Sequence, residues 1–296
     1  MNTFHTSIAV VRDYLALLGS LIVDQTRANI DAVMMGFAKG GTDAFSALPP
    51  LAILFVQLLI FLFLVKIAHM IFTLSHEMHF PWNKAKRYSV HREGGKRVLV
   101  IGDSTAYGTG ASRPEDTIAG RLGSDFPRAE IVNTAVNGSL VRQAIGQLER
   151  AGEEKFDLII ICTGGNDILR FVSLASLARD LPRLLEGAIE KSGHQVVLLF
   201  YANLGNARVF PPSIRSLLGR RTRQVYEIFK RAAAQTGVPL VELYTDVKSG
   251  GFSNPFIDDP YRYYARDQMH PNSEGYRLWY NRMWREMREN HFTFSE

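Results

Sequence analysis

Four short clusters in this chain hold side chains that could do chemistry together. Ser104 follows Gly102-Asp103, directly after the apolar run Arg97–Gly102. A hydroxyl just past a buried strand, at the start of a helical segment, suits a nucleophile, because first-turn amides favour negative charge. Asp267 stands three residues before His270. At that spacing a carboxylate can fix the imidazole tautomer and leave the other ring nitrogen free to take a serine proton. Gly138 closes Asn133–Gly138, where a glycine lets backbone approach a ligand with its N–H available. Asn166, in Gly164-Gly165-Asn166-Asp167, carries an amide that can donate to an oxyanion. Each cluster also has an ordinary reading. Ser104 could cap a helix or sit in a polar turn, and Asn133–Gly138 could be a plain strand-to-helix turn. Asn166 or Asp167 could be an N-cap, and His270 could be structural. Asp103 and Asp167 read as carboxylates that tie down their own turns by accepting backbone hydrogen bonds.

These residues need a scaffold, and the flanking sequence supplies one. Apolar strands are expected at Arg97–Gly102, Glu130–Val136, Asp157–Thr163 and Gln195–Tyr201, with a weaker one at Val238–Leu243. Helical patterns lie near 114–126, 139–151, 173–192 and 213–236. Runs apolar on both faces that alternate with helices indicate a parallel sheet covered on both sides. The fold class is therefore α/β, a three-layer α/β/α domain with a five-stranded parallel sheet, and its site lies beyond the carboxyl ends of the strands. All four clusters fall at such ends. After Pro271, Tyr276, Trp279, Tyr280 and Trp284 recur near helical spacing and read as a final helix packed on the sheet. Gly250–Tyr264 carries five aromatic residues and reads as a pocket wall, a lid or ordinary loop packing.

Composition narrows the function classes. The chain has 296 residues, 46% hydrophobic and 21% charged, which excludes a disordered protein. A mean hydropathy of -0.04 excludes a polytopic membrane protein but leaves room for one span. The single cysteine, Cys162, excludes an internal disulfide framework and a cysteine-rich metal site, and its place inside a strand makes it a core residue. His76-Glu77-Met78-His79 lacks the spacing that puts two zinc-binding histidines on one helix face. Net charge is +5, yet no basic patch interleaved with aromatics points to nucleic acid. No Gly-x-Ser-x-Gly elbow is present. Arg113 stands where the third glycine of a dinucleotide fingerprint would follow Gly108-Thr109-Gly110. A flavodoxin-like phosphate loop over Ser104–Gly108 stays open.

The N-terminal third differs. Residues 1–46 are mixed, and Tyr14–Val23, ten residues between charges, suits a packing or surface helix. Leu51–Val65 is a run of 15 residues with one polar member, Gln57. A transmembrane helix over 47–75 is expected, with Lys66 snorkelling. A cleaved signal peptide fits poorly, because Asp13, Asp24, Asp31 and Asp43 precede the run. Residues 76–96 read as a basic linker and 97–296 as the globular domain. Residues 31–50 carry one basic residue against six in 76–97. That asymmetry predicts a single-pass protein with its C-terminal domain facing the cytoplasm, the periplasmic or extracellular face being the alternative.

The four clusters, in this order, resemble the SGNH hydrolase superfamily, also called GDSL esterases and lipases, over about 96–290. Gly102-Asp103-Ser104 is similar to its nucleophile block and Asn133–Gly138 to its glycine block. Gly164–Asp167 resembles its Gly-x-Asn-Asp block, and Asp267–His270 its Asp-x-x-His block. Thr105 replaces the leucine of the family name, and Asn137 stands before Gly138 where serine is frequent. The resemblance implies acyl-ester hydrolysis with no metal or organic cofactor. Ser104, His270 and Asp267 would form the triad, with the Ser104 and Gly138 amides and the Asn166 side chain as oxyanion hole. The implied partner is an acyl ester, lipid esters and thioesters fitting a site near a bilayer. Carbohydrate O-deacetylation or acyl transfer on the same fold is the first alternative. A catalytically silent membrane adaptor and a flavin or nucleotide binder are alternatives of other classes.

Overall fold

The computed structural model of the chain describes residues 48–79, 86–192, 195–200, 203–243, 255–292 and 294, with isolated positions between 24 and 31. Two compact units divide it, Met1–Thr73 and Leu74–Glu296. α1 (Leu48–His79), which lies in the first as far as Thr73, is one helix of 32 residues that opens on Pro49 and Pro50, where missing N–H groups cost little. Its side chains are described from Ala52 to Ala68, and the large apolar ones from Ile53 to Val65 are exposed apart from Leu54. Among the described residues no helix is long and apolar enough to cross a membrane. Ala52–Ala68 extends about 25 Å at the helical rise, short of the roughly 30 Å of a bilayer core. The span expected over 47–75 is therefore not supported there. The side chains of 69–75, like those of His76 and His79 and the segment Tyr14–Val23, lie outside the described residues.

The second unit is a five-stranded parallel sheet in the order β2-β1-β3-β4-β5. Its strands are β1 (Arg97–Gly102), β2 (Glu130–Asn133), β3 (Leu158–Cys162), β4 (Val196–Phe200) and β5 (Leu240–Glu242). Val98 pairs with Ile131 on one side and Leu158 on the other. Helices cover both faces. On one, α4 (Val141–Arg150) packs on α6 (Leu174–Ser192), and α6 on α7 (Pro212–Thr236); on the other lie α3 (Ile118–Asp125) and α10 (Ser273–Glu289). Alternate strand residues serve the two layers. Val98, Val100 and Ile160 join Leu122, Tyr276, Trp279 and Met283 in one cluster. Tyr276 is fully buried, and its hydroxyl donates to Thr109 O at 2.8 Å. The final aromatic helix is thus present as read, and Cys162 is a buried core residue.

Local chemistry sets the element ends. Thr117 caps α3 by accepting from Gly120 N, and α7 stops where Gly237 turns left-handed at φ +71°. The expected strand over Glu130–Val136 ends at Asn133. The Asn133 side chain accepts from Ala135 N and donates to Ala106 O, and this Asx turn replaces extended backbone. β2 is an edge strand, and residues 87–92 of the basic segment cover it. Val90 pairs with Ile131 through two 2.9 Å bonds, and Arg92 donates to the carbonyls of Gly123, Phe126 and Ala129. Within the aromatic segment 250–264, residues 250–254 lie outside the described residues, Phe256 is buried and Tyr261 is exposed.

The sheet order reverses between β1 and β3, which opens a crevice at their carboxyl ends. The chain leaves β1 through Gly102 at φ +139°, where an added Cβ would lie 1.7 Å from Cys162 O. Only glycine fits there. Buried Gln147, from α4, holds this exit: its Oε1 accepts from Gly102 N at 2.8 Å and its Nε2 donates to Gly102 O at 2.8 Å and Ser139 Oγ at 2.9 Å. Gln147→Leu would leave a buried N–H unpaired, so it should cost about 2–3 kcal/mol, a fall of about 4–10 °C in Tm by calorimetry. An unchanged Tm would contradict this strap.

Candidate active site

The crevice is lined by three turns and a loop. Beyond β1, Asp103 caps α2 (Ser104–Tyr107), its carboxylate accepting from Thr105 N at 3.0 Å. Ser104 is thereby the first residue of a helix, and its backbone N–H has no intrahelical acceptor. The short helix ends at Gly108, φ +98°, where a Cβ would run into Thr117.

Beyond β3, Gly164 (φ +110°) is the N-cap of α5 (Gly165–Leu169). Neither Asn166 nor Asp167 is the cap; both sit in the first turn. A Cβ on Gly164 would lie 2.7 Å from the Phe229 ring, so that turn needs glycine as well. Asn166 Nδ2 lies 3.5 Å from Asp103 Oδ2, beside the serine turn. Asp167 is buried, and instead of closing only its own turn it accepts from Val141 N at 3.1 Å, the first residue of α4. Burial raises its pKa, the backbone amides and the positive charges of Arg170 and Arg142 opposing it.

Between them, Gly138 stands at φ +77° in the loop after β2. Asn137 accepts from Thr109 Oγ1 at 3.0 Å and so ties this loop to the serine segment. Val136 N donates to Gly102 O at 3.1 Å.

The fourth element is the loop Asp267–His270, which follows α8 (Pro255–Asp258) and α9 (Pro260–Tyr263) and precedes α10. Ala265 N donates to His270 O at 2.8 Å and Gln268 N to Ala265 O at 2.9 Å, closing a turn in which Gln268 takes φ +54°. Asp267 Oδ1 accepts from the amides of Met269 and His270, which leaves Oδ2 for the imidazole. His270 Nδ1 lies 2.6 Å from Asp267 Oδ2, and Nε2 lies 2.8 Å from Ser104 Oγ. With Asp267 ionised, Nδ1 carries the proton and Nε2 accepts from the serine hydroxyl. The structure thus brings Ser104, His270 and Asp267 into one relay, with Gly138 and Asn166 on the turns alongside.

Charge in this relay is tuned by two opposed effects. Burial of His270 pulls its pKa down, but the hydrogen bond and negative charge of Asp267, helped by Asp103, outweigh it and leave the ring more basic than usual. Burial likewise raises Asp267, and its bonds from His270 and Met269 outweigh that and hold it below the usual carboxylate range. The arrangement can deprotonate a hydroxyl as it attacks a carbonyl and stabilise the imidazolium that results. Among the described residues no group of His, Cys, Asp and Glu could hold a metal ion.

Gln147, which holds the end of β1, escaped the sequence reading. Its signal was there: it is the polar residue on the buried face of α4, beside Val141, Ala144 and Leu148. Arg170 also escaped notice; its Nη2 lies 3.2 Å from where a Cβ on Gly138 would stand.

The family model for the GDSL-like lipase/acylhydrolase family matches residues 100–278. No curated protein matches the sequence. Among solved structures, a member of the lipolytic protein G-D-S-L family from Veillonella parvula is 20% identical, with a TM-score of 0.52 over 68% of this chain and 100% of its own. An acetyl xylan esterase from Geobacillus stearothermophilus is 21% identical, with a TM-score of 0.47 over 69% of this chain and 99% of its own. At such identities the Veillonella likeness shows the fold alone.

The charge balance has a kinetic consequence. A general base works only while neutral, so His270 in that role would be governed by its upward shift from the ordinary histidine value of about 6.5. The acid limb of kcat/KM should therefore lie above pH 6.5, activity falling as pH drops through it. In Asp267→Asn the larger upward influence is lost while burial remains against Asp103 alone, so the limb should move below 6.5 while kcat falls about 10³–10⁴-fold. A limb that stays in place would contradict this coupling.

Proposed function

The chain belongs to the GDSL-like lipase/acylhydrolase family, hydrolases of ester bonds, and from that premise we propose that it is a membrane-associated serine esterase acting on acyl esters. The observation that carries this reading is the 2.8 Å contact of His270 Nε2 with Ser104 Oγ, backed at 2.6 Å by Asp267. Ser104 Oγ attacks the carbonyl carbon as its proton passes to His270 Nε2. The carbonyl oxygen becomes an oxyanion, held by the Ser104 and Gly138 amides and the Asn166 side chain. Loss of one such donor typically costs about 3–4 kcal/mol of transition-state stabilisation. When the tetrahedral centre collapses, the carbonyl–alkoxide bond breaks and His270 returns the proton to the leaving alcohol. Water, deprotonated by the same imidazole, then cleaves the acyl-serine and restores the hydroxyl. No cofactor enters these steps.

The membrane part of the proposal rests on α1. From Ile53 to Val65 its side chains are apolar except Gln57, and all but Leu54 and Gln57 are exposed. A helix apolar on every side needs an apolar surrounding, either protein or lipid. The helix runs on to His79, and the excess of basic residues after it, six in 76–97 against one in 31–50, suits the cytoplasmic side, although Arg87, Arg92 and Arg97 among them bond within the second unit. A substrate held near a bilayer, such as a lipid ester, fits this placement.

One preparation tests both parts. The full chain should stay with membranes after a carbonate wash, be shielded from protease added outside intact cells, and hydrolyse 4-nitrophenyl esters. Ser104→Ala should lower kcat/KM by about three orders of magnitude or more. Hydrolysis that survives in Ser104→Ala would end the esterase reading; release by carbonate would end the anchor, and digestion from outside would reverse the orientation.

A further inference from the structure

The turn after α5 carries a cation that the proposed relay does not use. Arg170 is exposed, and its guanidinium makes no hydrogen bond or ion pair among the described residues. Surface arginines are common and mostly inert. This one differs in place. Its Nη2 is 3.2 Å from where a Cβ on Gly138 would stand, so it rests against the open face of the glycine assigned to the oxyanion hole. Asp167, the carboxylate whose charge it feels, is buried and already accepts from Val141 N.

Its backbone is fixed on every side. Arg170 N donates to Asn166 O at 2.9 Å, Phe171 N to Ile168 O at 3.2 Å and Val172 N to Asp167 O at 3.0 Å. The buried Arg221 donates to Val172 O, and its guanidinium stacks over the Phe171 ring at 5.7 Å. Phe171 itself takes φ +50°, a conformation unfavourable for a residue with a Cβ. Backbone strain of this kind persists where the surroundings over-determine it. The result is a turn held by these bonds that carries Arg170 beside Gly138. A guanidinium stays charged at every working pH and offers paired donors that match a carboxylate or phosphate.

On the esterase reading above, we propose that Arg170 is a specificity-determining residue that binds a carboxylate or phosphate group of the substrate within a few bonds of the scissile carbonyl. The favoured substrate is thus an anionic acyl ester. The anion can sit on the acyl part or on the alcohol part; the chemistry recognised is the same.

Two ester pairs test this on the full chain. For the acyl side, mono-4-nitrophenyl glutarate is compared with 4-nitrophenyl valerate; for the alcohol side, 3-acetoxybenzoate with phenyl acetate. In wild type the anionic ester should have the higher kcat/KM, corrected for intrinsic reactivity, in at least one pair. Arg170→Met should lower the anionic-to-neutral ratio in that pair at least tenfold, and Arg170→Lys should retain most of it. Ratios unchanged in both pairs, including a loss shared equally by charged and neutral esters, would overturn the proposal while leaving the esterase reading standing. Failure of wild type to hydrolyse any of the four would instead remove the esterase reading, and this one with it. The lysine variant keeps the test valid should the methionine variant fold poorly, as its Tm would reveal.

Discussion

The contact between His270 Nε2 and Ser104 Oγ joins two residues 166 positions apart in the chain, and the rest of the second unit serves to hold it at 2.8 Å. The serine hangs on β1, a central strand whose last residue has no room for a side chain and is gripped on both backbone groups by Gln147. The histidine hangs on a loop that leads into α10, whose Tyr276 reaches back to Thr109 in the serine segment. An error of an ångström in either support would break the relay, since hydrogen-bond strength falls steeply with distance and angle. The sheet order supplies the rest: reversal between β1 and β3 places the serine and Asn166 turns on either side of one crevice.

Electrostatics follow from that geometry. A buried imidazole by itself would be a poorer base than a free one, and a buried carboxylate would tend to take up a proton. Paired at 2.6 Å, each reverses the other's tendency, so the carboxylate stays charged and the ring stays basic. Two backbone amides occupy the second carboxylate oxygen, which fixes the direction from which Asp267 approaches the ring. Orientation and basicity thus come from one short loop, with the strained Gln268 as its cost.

Much of this was legible in the amino-acid sequence, for identifiable reasons. Strands buried on both faces read as apolar runs, so β1 and β3 stood out. The site clusters were visible because glycine, serine, asparagine and the Asp-x-x-His spacing fall where strands end. Less visible was whatever depends on side chains meeting across the fold. The second strand ends at Asn133 because an asparagine side chain takes over the backbone's bonds, a competition that no apolar pattern reveals. The reach of Asp167 to Val141, the Gln147 strap and the proximity of Arg170 to Gly138 are all contacts between distant segments. The basic stretch before β1 read as a linker from composition, yet residues 87–92 cover the sheet edge through backbone bonds that composition does not encode.

The central claim is that Ser104 is a nucleophile activated by His270 and Asp267. The most direct test is covalent trapping with a fluorophosphonate, followed by mass mapping of the modified peptide. The account predicts one adduct per chain, on the peptide containing Ser104, formed in wild type, lost in Ser104→Ala and strongly slowed in His270→Ala. Folded wild type that remains unmodified, or an adduct on another residue, would contradict it.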